Sequence, residues 1–295
     1  MKKRILTWLL AISMLGSLLT VPAGAAAVTK FSDVSDSYTA TAVESLRLMG
    51  VLDGYGDGTF RPDTVLNRAQ FCKMAVYAME HGKHVAVEVP AAMSLEECWQ
   101  LVNTAEKTQR HCMMLENCVY DFFELTTLNM AQHGLFGEII HTEGSYIHDL
   151  DPFWEHYQGN WRLDFNQSHR GDVYATHGLG PACQLLDIHR GDRMTRLVSM
   201  DTESINGLKT AKEKMGAETF ANGDQTLTII KTEKGRTILL EHNVYTPRPY
   251  SRMYQLTGTE GFANKYPVEG YTFRSPEQVE GVPCLLYTSD AADEL

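Results

Sequence analysis

The chain has 295 residues, 43% of them hydrophobic, which suits about two ordinary globular domains. Its formal net charge of −11 argues against nucleic acid or an anionic membrane surface as a partner. None of its six cysteines falls in a Cys-x-x-Cys pair, so zinc spacing is excluded and no metal site is expected.

Residues 1–26 open with Lys2, Lys3 and Arg4, continue through an apolar run over 5–21, and reach Ala23-Gly24-Ala25. That order is a cleavable signal peptide, so the chain is expected to be exported, to the cell surface or beyond it. No later segment is apolar enough to span a bilayer, so no membrane association is expected after cleavage.

Residues 30–77 form a small module. Ala42, Leu46 and Met49 recur at helical spacing over 37–50, and Gly50 stops the helix. A turn-rich loop, Asp53-Gly-Tyr-Gly-Asp-Gly58, leads to a second helix with Asn67 as its N-cap.

The pattern then changes to strand, helix, strand, helix, which is the signature of an α/β sheet. Residues 84–88 suit a buried parallel strand. Residues 94–108 suit a helix opened by a Ser94/Glu97 capping box. Residues 112–115 suit a second strand, and 120–133 a helix ended by Gly134. From residue 137 strands dominate. They are expected at 138–148, 196–203, 226–232, 236–244 and 252–257, with a hairpin turn at 231–236 and covering helices near 181–187 and 208–214.

Between these strands lies a stretch of another composition, residues 161–193. It gathers Arg162, His169, Arg170, Tyr174, His177, His189 and Arg190 with four glycines, and has few apolar residues before Leu185. Hydrogen-bond donors, titratable rings and turn-permitting glycines are what a polar ligand site needs; the plain alternative is a solvated loop. Tyr174 and His177 stand three apart, so one helical turn would put both rings on one face. A histidine, or a tyrosine paired with it, is a sound proton acceptor near neutral pH. Glu116 and Asp149 are a conceivable carboxylate pair, but nothing in the sequence sets their separation.

Several of these motifs carry a resemblance. Tyr174-Ala-Thr-His177-Gly-Leu-Gly-Pro, Met114-Leu-Glu-Asn117-Cys-Val-Tyr120 and Glu88-Val-Pro90 occur in the order seen in glycoside hydrolase family 109. That family comprises NAD-dependent α-N-acetylgalactosaminidases on the Gfo/Idh/MocA oxidoreductase fold. Phe31-Ser-Asp-Val34, the 50–63 loop and Asn67-Arg-Ala-Gln70 resemble one S-layer homology repeat. Asn67 and Gln70 replace the usual Thr and Glu.

The resemblances imply a combined α/β and α+β fold. A small helical S-layer homology module at 30–77 precedes a partial Rossmann-type segment at 78–134, the C-terminal remnant of a dinucleotide-binding domain. A mostly antiparallel open sheet covered by helices follows at 135–280, as the substrate domain.

By resemblance, Glu88, Val89, Asn117 and Tyr174 bind the cofactor NAD, and Tyr146, Arg162, Tyr174, His177 and Tyr250 bind the sugar, with His177 and Tyr174 catalytic. The substrate implied is a glycan ending in N-acetylgalactosamine. The S-layer repeat implies cell-wall polysaccharide as a further partner.

The Gly-rich dinucleotide turn is missing. Gly54-Tyr-Gly56-Asp-Gly58 has the wrong spacing, and Gly178-Leu-Gly180 lacks a third glycine. Residues 284–295 resemble an adapter-derived tail. Together with the ambiguous join at 73–80 and a cysteine-bearing domain behind an export signal, these features lead to the expectation of an assembly chimera with a truncated enzyme and impaired activity. The alternative is an exported, wall-associated sugar-binding or assembly protein without catalysis. The dinucleotide fingerprint discriminates between the two.

Overall fold

A computed structural model describes residues 30–64, 68–157 and 161–274. The expected signal peptide, the Asn67 cap and the 284–295 tail lie outside the described residues. The chain divides into two compact units, with the boundary after Thr64.

In the first unit, helix α1 (Ser37–Leu48) starts where the Asp36 side chain accepts from the Thr39 amide at 2.8 Å. Ala40 and Val43 bury its inner face against Phe31 and Val34, flanked by Leu52 and Phe60. The loop is held by the Asp33 carboxylate, which accepts from the Phe60 amide at 2.7 Å and the Arg61 amide at 2.6 Å. Gly54 sits at φ +73°, where a Cβ would strike the Phe31 ring.

The second unit begins with α2 (Arg68–Glu80), whose Cys72, Ala75 and Met79 pack with Val87 and Leu101. Strand β1 (Val85–Glu88) runs parallel to β2 (Cys112–Leu115), as two strands joined by a helix require. That helix, α3 (Leu95–Thr108), opens with the expected capping box: Ser94 accepts from the Glu97 amide while Glu97 accepts from the Ser94 amide. After β2 a 3-10 turn, Asn117–Tyr120, leads into α4 (Phe122–Gln132), which Gly134 at φ +78° follows.

The larger sheet contains β3 (Ile139–Ile147), β4 (Met194–Asp201), β5 (Thr226–Thr232), β6 (Thr237–Asn243), β7 (Tyr254–Gly258), β8 (Gly261–Asn264) and β9 (Gly270–Phe273). Their order is β4-β5-β6-β3-β7-β8-β9. Every adjacent pair is antiparallel except β3 with β6. The five strands expected in this region are present. The short β8 and β9 were not foreseen.

Helix α6 (Thr176–Leu185) covers the inner face of the sheet, with Ala182, Leu186 and Ile188 against Ile230, Ile238 and Leu240. It starts earlier than the 181–187 helix read from the sequence. Its early turns are polar and Gly-rich: His177 meets the Tyr146 ring, and Gly178 packs against the backbone of β3. Helix α5 (Trp161–Ser168) was also unforeseen; that polar stretch is not a solvated loop. Helix α7 (Asn206–Met215) completes the cover near Trp154, Tyr245 and Phe220.

Gly144 of β3 and Gly178 of α6 touch backbone to backbone. A Cβ on Gly178 would lie 2.8 Å from the Gly144 carbonyl carbon. Gly178 and Gly180 are therefore packing glycines inside a helix and not part of a nucleotide loop. Among the described residues, no helix is long and apolar enough to cross a membrane.

Candidate functional site

The close approach of α6 to β3 sets Tyr146 on the sheet against Tyr174 and His177 at the start of α6. Ring centroids are 5.0 Å apart for Tyr146–Tyr174, 5.4 Å for Tyr146–His177 and 4.7 Å for Tyr174–His177. Arg162, from α5, places its guanidinium 4.6 Å from the Tyr174 ring centre, and its Nη1 donates to the Tyr146 hydroxyl at 3.5 Å. Tyr250 is reached through His148, edge to face at 5.2 Å, and through Arg252, whose Nε donates to the Tyr250 hydroxyl at 2.9 Å. The structure thus brings together directly four of the five residues expected to meet a sugar, and links the half-exposed Tyr250 to them.

The residues expected on the cofactor side stand at the carboxyl ends of the parallel strands. Glu88 ends β1 and is exposed; Asn117 follows β2 and is exposed. Val89 is buried, and its carbonyl accepts from the Tyr174 hydroxyl at 3.4 Å. Tyr174 thereby touches both halves. Burial holds its phenol above the ordinary value, although Arg162 pulls the other way. The hydroxyl keeps its proton and acts as a donor.

Glu116, weighed from sequence only as a carboxylate partner of Asp149, belongs instead to this cluster. Glu116 is buried beside His177, its Oε1 2.7 Å from Nδ1 and also accepting from the Cys118 amide at 3.0 Å. Burial alone would raise this carboxyl, but the hydrogen bonds from His177 and the Cys118 amide outweigh it and hold the group below the ordinary value. The Cys118 sulfur lies 3.4 Å from the same ring nitrogen, and burial pushes its thiol up to about 12.

The donor atoms of Glu116, Cys118 and His177 lie within 4.8 Å of one another, near enough for one cation. Nδ1 and Oε1 already engage each other and the thiol keeps its proton. The three therefore read as a hydrogen-bonded set. Asp149 takes no part in it; its carboxylate accepts from the Asp151 amide at 3.1 Å.

His242 pairs with Tyr146 across β6 and β3 and stacks on it at 5.8 Å. Burial lowers its pKa, so its ring is neutral at pH 7. Arg252 lies over the Tyr146 ring at 4.0 Å. His242 could have been found from strand register, had the β3–β6 pairing been known. Arg252 carried no sequence signal beyond its nearness to Tyr250.

The space enclosed by Tyr146, Trp161, Arg162, Tyr174 and His242 is only about 10 Å³, room for one water. Any larger ligand would lie on the open side of these residues. Beyond the turn after β1, an apolar groove of about 430 Å³ runs between Pro90, Leu101, Val102, Met114 and Thr176.

The fold has solved counterparts. An inositol dehydrogenase homologue complexed with NAD+ from Azotobacter vinelandii superposes with a TM-score of 0.52 at 20% identity, covering 65% of this chain and 48% of that one. An NAD binding oxidoreductase from Klebsiella pneumoniae gives 0.53 at 20% identity, covering 65% and 50%. The chain thus shares the fold of about half of each of these two oxidoreductases.

Sequence defines the family more narrowly. Residues 120–274 match the family described as "Glycosyl hydrolase 109, C-terminal domain", and residues 30–72 match the "S-layer homology domain". Glycosyl hydrolase family 109 protein 1 of Bacteroides fragilis (strain YCH46) is 68% identical over 209 residues, which is 70% of this chain and 45% of that protein. The family protein of Porphyromonas gingivalis (strain ATCC BAA-308 / W83) is 66% identical over 210 residues, again 70% and 45%. This chain belongs to glycosyl hydrolase family 109, and it spans less than half the length of these curated relatives.

Proposed function

We propose that the cluster is the sugar-facing half of an NAD-dependent glycosidase acting on terminal α-N-acetylgalactosamine. The supporting observation is the convergence of Tyr146, Arg162, Tyr174 and His177 from three separate segments. Aromatic rings cover the apolar face of a sugar while guanidinium and imidazole groups meet its hydroxyls. Tyr250 adds a ring at the exposed rim.

Glu88, Val89 and Asn117 would face the nicotinamide, at the strand ends where this fold class places its ligand. They fit that end of the cofactor, since two polar side chains stand exposed at the strand ends and the Val89 carbonyl meets the Tyr174 hydroxyl. NAD, when bound, supplies hydride removal and return at the sugar. With its hydroxyl protonated, Tyr174 serves as the donor. That leaves His177 to accept and return the proton on a sugar carbon beside a carbonyl. No Gly-rich pyrophosphate turn occurs in the sequence, so the chain is expected to bind NAD more weakly than about 1 mM, less than about 4 kcal/mol. Activity is impaired accordingly. On this reading residues 78–134 belong to the cofactor side and 135–280 to the sugar side.

The test is release of N-acetylgalactosamine from an aryl α-N-acetylgalactosaminide at saturating NAD. Slow, NAD-dependent release is expected, reduced about 100-fold or more in H177A. Release indifferent to NAD, or unchanged in H177A, overturns the reading.

The S-layer homology match at 30–72 favours a second reading, association with cell-wall polysaccharide at the cell surface, with the sheet domain binding glycan without catalysis. Complete absence of release together with retention on purified wall polysaccharide would select it.

A further inference from the structure

Glu116 is buried, ionised and shared between two donors. Its Oε1 accepts from the Cys118 amide, and the same oxygen lies 2.7 Å from His177 Nδ1. An imidazole nitrogen this close to a carboxylate oxygen must bring the proton itself, because the carboxylate has none to give. The Cys118 thiol lies beside the same nitrogen at 3.4 Å, and burial keeps it protonated and neutral. No sulfur anion therefore competes for the ring.

The backbone fixes the two partners independently. Glu116 ends β2 and caps the 3-10 turn that follows it. His177 is set by α6, which the Gly144–Gly178 contact presses onto β3. Gly180, one helical turn after His177, makes room for the carboxylate stem: a Cβ there would lie 2.9 Å from Glu116 Cγ and 3.2 Å from Val119 Cγ1. The remaining Glu116 oxygen, Oε2, is buried and has no hydrogen-bond partner among the described residues. Solvation does not account for the placement of this carboxylate; the ring and the Cys118 amide do.

We propose that Glu116 is a positioning residue that holds His177 in the tautomer with its proton on Nδ1, leaving the Nε2 lone pair as the proton acceptor of the site. Nδ1 and Nε2 lie on opposite sides of the ring, so the Nε2 lone pair is directed away from Glu116. When Nε2 takes a proton, the C–H electron pair stays on the substrate carbon and the ring becomes an imidazolium. The Glu116 carboxylate offsets that new charge without accepting the proton. The role as acceptor rests on the glycosidase reading above. The tautomer does not.

The experiment is a two-bond proton–nitrogen NMR spectrum of the chain with ¹⁵N-labelled histidine, with the His177 signals assigned by their loss in H177A. Wild type is expected to show Nδ1 protonated and Nε2 bare. E116A should lose that single tautomer, and E116Q, which keeps an acceptor oxygen, should retain it. G180A, which leaves both side chains of the pair in place but crowds the Glu116 stem, should shift the His177 signals toward those of E116A. The spectra of the other histidines report whether each variant is folded. If E116A fails to fold, wild type and G180A decide. Protonated Nε2 in wild type, or an unchanged Nδ1 tautomer in folded E116A, overturns the proposal.

Where release can be measured, E116A should lower kcat about 100-fold with KM little changed, and E116Q should restore part of it. The two ideas fail separately. The expected tautomer without glycan release sinks the glycosidase reading alone, whereas His177-dependent release with the wrong tautomer sinks the positioning role alone.

Discussion

The second unit contains two sheets that bury themselves very differently. In the seven-stranded sheet, β5 alternates strictly between buried and exposed residues, and three apolar clusters lie under the covering helices. In the two-stranded sheet only Val87 of β1 is fully buried, β2 has no fully buried residue, and Met113 and Leu115 are exposed. Its helix α3 likewise leaves Leu95, Trp99 and Val102 in the open, the last of them on the apolar groove. Parallel strands are ordinarily covered on both faces, and two strands alone are marginal. Tyr146, Arg162, Tyr174 and His177 thus rest on a core that supports itself, while Glu88 and Asn117 stand on a sheet with little core of its own.

Two tryptophans give this contrast its largest expected effect. Trp154 is 1% exposed and stacks on Tyr245, whereas Trp99 is 58% exposed. W154A should cost about 3–5 kcal/mol of stability. W99A should fall within about 0.5 kcal/mol of wild type. Denaturant midpoints of both variants, with equal slopes, check this; a comparable loss from W99A would mean that the smaller sheet is better buried than it looks.

A smaller effect is expected at the seam between sheet and site. A Cβ on Gly144 would meet the Gly178 carbonyl oxygen at 2.5 Å, with backbone on both sides and no side chain to yield. G144A should cost about 1–3 kcal/mol and move Tyr146 relative to His177. Thermal melting reads the first, and the aromatic NMR signals of Tyr146 read the second. Equal stability with unmoved signals would show that the helix can lift at no cost.

The mildest probe leaves the chain unchanged. Amides of β3, β5 and β6 should exchange with solvent only by opening close to global unfolding, and those of β1 and β2 by smaller, local openings. Hydrogen exchange that protects all five strands equally would erase the distinction between the two sheets.

Local chemistry accounts for the parts of the fold that the sequence states outright. The Ser94/Glu97 capping box and Gly134 mark helix ends because a cap needs only neighbouring residues. The strands from 139 onward show in their alternation because each side chain faces core or solvent by itself. The motifs at 88–90, 114–120 and 174–181 likewise name a family from residue identity alone.

What the tertiary structure decided are the meetings between distant positions. Glu116 and His177 are 61 residues apart, and only the contact of α6 with β3 turns them into a hydrogen-bonded pair. Tyr146 faces His242 because β3 runs parallel to β6, a register that no local pattern encodes. Helix α5 is helical in a stretch whose composition reads as loop, because Leu163 and Asn166 are buried against the site cluster and Tyr245. Each of these depends on packing free energy gathered across the whole sheet, and that quantity belongs to no single segment of the chain.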